Sequence, residues 1–382
     1  MSRYLLLAGV LAVTFPLAFG QAAPRGSVSG RVHCADTNQP CRYAGVILQS
    51  VNSAPNAQQP KDKETEAESS SYYSASTGLD GAFLIEDVIP GTYFAVAELP
   101  GYNSGIGVLS QEDLKTGSAE VKKELDSLLP KITVESGRVS SLELRLERGS
   151  FISGQVRYDD GSPGINLGIK LYRRDKKGAW KEAISDSSGP FHFLSFAQFT
   201  DDEGRFRIIS LPAGEYVVEA SLPIVTFSIS ALFGTPGVQI HPHDESALKV
   251  YSGDATRLRL AKPIVLGAGE NRNDADIVIP LSGLHSLRGT VTAKIGGLPI
   301  NHGKISLLDQ DDKTYLRSAA IRDYGEFAFT NVPEGNYLIE IKNAEETESD
   351  KTVRLYQDLQ QPLLVKGDVE NISLSLTAQK PK

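Results

Sequence analysis

Apolar and polar residues alternate with a period of two in short runs along most of this chain, and the runs recur three times in the same order. The clearest unit reads LDGAFLIEDVIPGTYFAVA at 79–97, DEGRFRIISLPAGEYVVEA at 202–220 and DYGEFAFTNVPEGNYLIEI at 323–341. In each copy a first glycine (Gly81, Gly204, Gly325) precedes a second (Gly91, Gly214, Gly335) by ten residues. Phe83, Phe206 and Phe327 follow the first glycine by two positions, and Tyr93, Tyr216 and Tyr337 follow the second by two. The spacing predicts strand, turn, strand. Glycine beside acidic residues suits a turn that needs φ > 0. Each phenylalanine and its i+2 neighbour (Ile85, Ile208, Phe329) then line one strand face. Ala95, Val218 and Ile339 take the inner face of the next strand. The unit holds no nucleophile, acid–base pair or metal set, so it reads as scaffold.

Each cassette is flanked by further alternating runs. The unit opens with SVSGRV (27–32), FISGQV (151–156) or SLRGTV (286–291). After a proline-bearing loop, a second strand starts at Gly45, Gly168 or Gly303, and a closing strand follows the cassette at 141–146, 275–281 or 371–376. Many strands, glycine and proline turns and no helical periodicity predict an all-β chain of three tandem antiparallel β-sandwiches. We place them at 24–147, 148–282 and 283–378. The insertions differ. Residues 52–71 are polar and free of aromatics, which predicts a disordered loop. Residues 110–129 carry a Ser110 cap and good helix formers, which predicts a short surface helix. The second unit carries insertions at 173–200 and 222–250.

The first 20 residues change the compartment. Arg3, an apolar run from Leu5 to Leu17 and the small residues Ala18 and Gly20 read as a cleavable secretory signal. No other apolar run is long enough to span a bilayer. Loss of Arg3, the only charge in that segment, takes the net charge from −8 to −9. That balance argues against nucleic acid or an anionic membrane surface as partner. Cys34 and Cys41 are the only two cysteines, and in an exported chain their spacing suits a disulfide closing a hairpin loop. A zinc site would need two more ligands, and only His33 is near. His241 and His243 flank a proline in a polar stretch, which does not fix ligand geometry. No metal or cofactor is expected, nor a catalytic set.

The order of opening glycine-x-valine, proline before a glycine-led strand, turn glycine before F-x-(F/I), and proline-glycine corner before tyrosine resembles the carboxypeptidase regulatory-like domain. The resemblance implies a prealbumin-like sandwich, often grouped with carbohydrate-binding-like folds, and a stand-alone exported bacterial protein, periplasmic or extracellular. It implies a non-enzymatic binding or scaffold role, with polysaccharide or an envelope protein as partner. For sugar, flat aromatics matter. The candidates are Tyr158, Tyr172 and Trp180. A hairpin turning at Lys177-Gly178 puts Trp180 on the core side with Leu171 and Tyr172 on the surface. For a protein partner, the apolar insertion offers Phe227, Leu232 and Phe233, as cover for its own sandwich or as a contact.

Overall fold

The structure is a computed structural model, and it describes residues 24–51, 72–183, 199–222, 224–227, 238–241, 248–311, 316–348 and 351–379. The expected signal (1–20), the polar loop (52–71), Leu232 and Phe233 lie outside the described residues.

Three sandwiches follow one another, each around its own buried cluster. The opening strands are Gly26–Cys34, Ser150–Tyr158 and Leu284–Ala293. The second strands are Gly45–Ser50, Gly168–Arg174 and His302–Asp309. The cassettes give Ala82–Val88 with Gly91–Glu98, Arg205–Leu211 with Gly214–Ser221, and Glu326–Pro333 with Gly335–Glu348. The first strand of each cassette pairs with the opening strand, whereas the next pairs with the second strand in the facing sheet. The cassette is therefore a corner that carries the chain between sheets, not a hairpin. Phe83, Phe206, Phe327 and their i+2 partners are buried between the layers, as are Ala95, Val218 and Ile339.

The turn that leads into each cassette and the corner within it are held by different features. The turn glycines Gly81, Gly204 and Gly325 sit at φ 74, 76 and 75, where a β-carbon would be strained. Each corner tyrosine donates its hydroxyl to the carbonyl four residues earlier: Tyr93 to Ile89 at 2.6 Å, Tyr216 to Pro212 at 2.7 Å, Tyr337 to Pro333 at 2.8 Å. A buried hydroxyl needs such a partner, and this one staples the second cassette strand to its own turn. Asp87, Ser210 and Asn331, at φ 57, 65 and 56, add a bulge before each corner. The opening strand shifts register at the matching point.

In each sandwich the pairing at the closing end departs from the antiparallel expectation, and in the second Asn271–Arg272 also pairs parallel with the opening strand. The closing strands Val139–Arg148, Ile277–Ile279 and Val369–Leu376 run parallel to the opening strands. In the first sandwich the cause is visible. Lys131–Val134 runs antiparallel to Gly91–Glu98 and ends beside the start of the opening strand, where Ser27 N–H donates to Arg138 at 2.9 Å. The chain then crosses to the other sheet and sets off in the same direction as the opening strand. The parallel pair also explains the opening-strand glycines. A β-carbon on Gly154 would stand 2.3 Å from the Ala275 carbonyl oxygen.

Residues 110–129 form two helices rather than one: α1 (Gln111–Thr116) and α2 (Ala119–Leu128). Ser110 and Asp113 make a reciprocal capping box, and Gly117, left-handed at φ 53, ends α1 before Ser118 caps α2. The segment does not simply lie on the surface. Ile106, Leu109 and Leu129 pack on Phe94 and Val96, on the outer face of strand Gly91–Glu98, and form a fourth buried cluster.

Candidate functional site

Cys34 and Cys41 are joined in a disulfide at the trailing end of the first opening strand, with Cα atoms 5.2 Å apart. It closes the loop between the opening strand and the second strand, and both cysteines are buried in the first core.

The aromatic candidates are only partly brought together. Asp175 N–H bonds to the Ala179 carbonyl, so the hairpin loop has three residues, with Gly178 at φ 85. Tyr172 then faces Glu182, and Arg174 faces Trp180. One more loop residue than the sequence reading assumed shifts register by one and reverses every side chain beyond the turn. Trp180 is therefore on the outer face with Tyr172, not on the core side with Leu171. Neither ring is free. The Arg174 guanidinium lies 4.6 Å from the centre of the Trp180 ring. Tyr172 is half-buried, meets Tyr251 edge to face at 6.3 Å, and donates to Glu219 Oε2 at 2.9 Å. Burial, and then the Glu219 charge, push its hydroxyl pKa far up. Tyr158 ends the opening strand in the other sheet and packs against the second core, so it does not share this face. Burial, then Asp160, raises its pKa.

Of the apolar insertion, strand Ile224–Phe227 pairs antiparallel with Val238–His241, Phe227 opposite Val238, as a separate two-stranded ribbon. Among the described residues no group of three His, Cys, Asp or Glu side chains could hold a metal ion. No described helix is long and apolar enough to cross a membrane.

Polar contacts also tie the junctions between sandwiches, where no sequence motif marks them. Only Gly149 separates strand Val139–Arg148 from strand Ser150–Tyr158. Gly101 N–H donates to Ser210 Oγ at 2.9 Å, and Gly149 N–H donates to the Gly101 carbonyl at 2.9 Å. Arg173 Nη1 reaches the Val108 carbonyl at 3.2 Å, and Ser110 bridges Ala183. Lys181 pairs with Glu112 of α1, and Lys176 with Glu124 of α2 at 2.8 Å. The helical cap of the first sandwich is thus docked on the aromatic hairpin of the second.

The second junction is more buried. Arg257, from the segment after strand Lys249–Tyr251, enters the leading end of the third sandwich. Its Nη2 donates to the Tyr337 hydroxyl at 2.6 Å, its Nε bonds Asp309, and its guanidinium stands 5.4 Å from the Tyr337 ring centre. The Arg257 and Asp309 side chains are only 4% and 6% exposed. Arg259 pairs with Asp311 at 3.6 Å beside them. Ser282, in the connecting turn, donates its N–H and hydroxyl to Asp159 at 3.0 and 2.7 Å. No sequence motif marks Arg257; it falls between cassette and closing strand, where the copies differ most.

No family model matches the chain, and no curated protein matches it. Among solved structures it aligns with the TIE protein of Bacillus anthracis at 13% identity and TM-score 0.22, over 94% of this chain and 51% of that one. It thus spans about half of that protein's length. It aligns with a streptococcal ancillary pilin at 10% identity and TM-score 0.30, over 93% of this chain and 99% of that one. A minor pilin of Streptococcus agalactiae aligns at 12% identity and TM-score 0.28, over 61% of this chain and 98% of that one. At such scores the overlap carries no functional implication for this chain.

Proposed function

We propose that this chain is a non-enzymatic exported scaffold of the cell envelope or its exterior, in which three sandwiches (24–147, 148–282, 283–378) are held at fixed angles to space or present surfaces. The observation that carries this reading is the junction chemistry. Flexible linkers between domains are exposed and make few contacts. Here one junction has a single-residue linker, Gly149, whose N–H bonds the Gly101 carbonyl while Gly101 N–H bonds the Ser210 hydroxyl, and the other buries an arginine from one sandwich under the corner tyrosine of the next. Small-angle scattering of the mature chain tests it. A profile fitted by one conformer supports the scaffold. A profile that needs an ensemble of inter-sandwich angles removes its basis.

A second reading, polysaccharide binding on the second sandwich, is favoured by Tyr172 and Trp180 sharing one outer face. It is weakened by Arg174 on the Trp180 ring and by the Tyr172 hydroxyl being committed to Glu219. A glycan array with the wild type and Trp180→Ala separates the two. Binding lost in the variant supports the sugar reading, and no binding by the wild type removes it.

A further inference from the structure

Glu98 ends the second cassette strand of the first sandwich, on the same side as Phe94 and Val96 by strand alternation. That side is covered by the segment from Ile106 to Leu129. The residue is 4% exposed, and neither carboxyl oxygen has a hydrogen-bond partner among the described residues. Buried carboxylates are normally paired or hydrogen-bonded, so an orphan in this position disfavours its own charged form. Ser104 Oγ, just before the covering segment, and Gln111 Oε1, within it, are also buried without partners among the described residues.

Charged groups around Glu98 do not relieve it. The neighbouring strand Gly45–Ser50 carries none. In the covering segment Glu112 turns to Lys181, Asp113 to Ser110 and Glu124 to Lys176. Asp126 pairs with Lys131, whose ammonium lies over the Phe94 ring at 5.1 Å. Glu120, Lys122 and Lys123 are exposed. Among the described residues burial is accordingly the only cause acting on the carboxyl, and it pushes the pKa from 4.5 up to about 7.

The covering segment has a second attachment. Its other side holds the second sandwich through Val108, Ser110, Glu112 and Glu124, and Gly101, three residues after Glu98, bonds Ser210. We propose that Glu98 is a proton-operated latch: protonated, it lets the helical cap close over the strand and hold the second sandwich; ionised, it drives the cap open and loosens that junction.

The sign follows from linkage. The closed form keeps its proton to higher pH than the open form, so opening releases a proton. Closure is at full strength below about pH 4.5, weakens as pH rises and levels off above about pH 7. The latch would work whatever the stack carries.

The test is hydrogen exchange of the full mature chain between pH 4.5 and 8.5, corrected for intrinsic exchange, in the wild type and Glu98→Gln. In the wild type the opening constant of peptides within 104–129 should rise about tenfold per pH unit between pH 5 and 7 and then level. Peptides holding Ser210 and Lys181 should follow the same profile. Glu98→Gln should flatten both. A flat wild type, or the same slope in the variant, overturns the proposal. A pH-dependent cap with an indifferent junction overturns the latch. If Glu98→Gln does not fold, a carbon-detected titration of the native Glu98 carboxyl decides. A midpoint in the ordinary carboxylate range sinks the idea, and one near pH 7 sustains it.

Discussion

Arg257 of the second sandwich donates to the Tyr337 hydroxyl of the third at 2.6 Å, while that same hydroxyl donates to the Pro333 carbonyl at 2.8 Å. The tyrosine that staples the corner is thus also the acceptor for the neighbouring sandwich, and Asp309, opposite Tyr337 across the strands, neutralises the arriving charge. In the second sandwich the position opposite the corner tyrosine, Tyr216, is Arg173, which reaches back to Val108 of the first. Both junctions therefore use the leading end of a corner, with the charge supplied from opposite sides.

Arg257→Ala removes the charge that Arg257 brings to buried Asp309. Breaking a buried pair from one side costs about 3–5 kcal/mol, whereas replacing both members by apolar residues is often near neutral. Denaturant unfolding should show a loss of about that size for Arg257→Ala and a much smaller one for Arg257→Met with Asp309→Leu. Equal, small losses in both variants would mean that the pair does not hold the junction.

The opening-strand glycines make a sharper steric prediction. At Gly154 a new β-carbon would meet the Ala275 carbonyl oxygen at 2.3 Å, the Ala275 carbonyl carbon at 2.4 Å and the Asp276 nitrogen at 2.9 Å. All three are backbone atoms of the parallel neighbour, so no rotamer change makes room. Gly154→Ala should therefore cost about 3 kcal/mol or more by overpacking, seen as a lower melting temperature. A shift of a degree or less would place the closing strand elsewhere.

What the sequence shows and what it hides follow from the range of the interactions. Phe206, Ile208 and Tyr216 are local signals, set by alternation and by a turn two residues away, and they lie where the pattern puts them. The opening glycines are visible as a motif, but their cause, the distant closing strand that Gly30, Gly154 and Gly289 meet near Leu142, Ala275 and Ile372, is not. Trp180 was misplaced because one extra loop residue between Asp175 and Ala179 reverses a strand's faces, and Lys-Lys-Gly allows either loop length. Arg257 and Glu98 lay beyond reach for another reason. A lone arginine or glutamate carries no periodicity, and its burial depends on segments from elsewhere in the chain. The local repeat therefore carries the fold, and non-repeated residues carry the junctions.

The disulfide between Cys34 and Cys41 closes a short loop inside the first core. In the chain-entropy model a loop of this size contributes about 2–3 kcal/mol. Material recovered from the secretion compartment should contain no free thiol by mass spectrometry without reductant. Reduction should lower the melting of the first sandwich and leave the third unchanged. Two free thiols in native material would overturn the pairing.

The apolar insertion supplies the last prediction. Its strand Ile224–Phe227 pairs Val225 with Ile240 and Phe227 with Val238, apolar against apolar, and among the described residues the two strands join no other sheet. A two-stranded ribbon is marginal on its own in water, so this one, which pairs with no further strand among the described residues, calls for another surface. Single insertions more often finish the core of their own sandwich, and the second core already draws in Leu222, immediately before the ribbon. Phe227→Asp with Phe233→Asp should therefore lower the melting temperature of the second sandwich while sparing the third. An unchanged melt with loss of an envelope partner in pull-down would instead make Phe227, Leu232 and Phe233 a contact surface for that partner. No change in either measurement would leave the insertion with neither role.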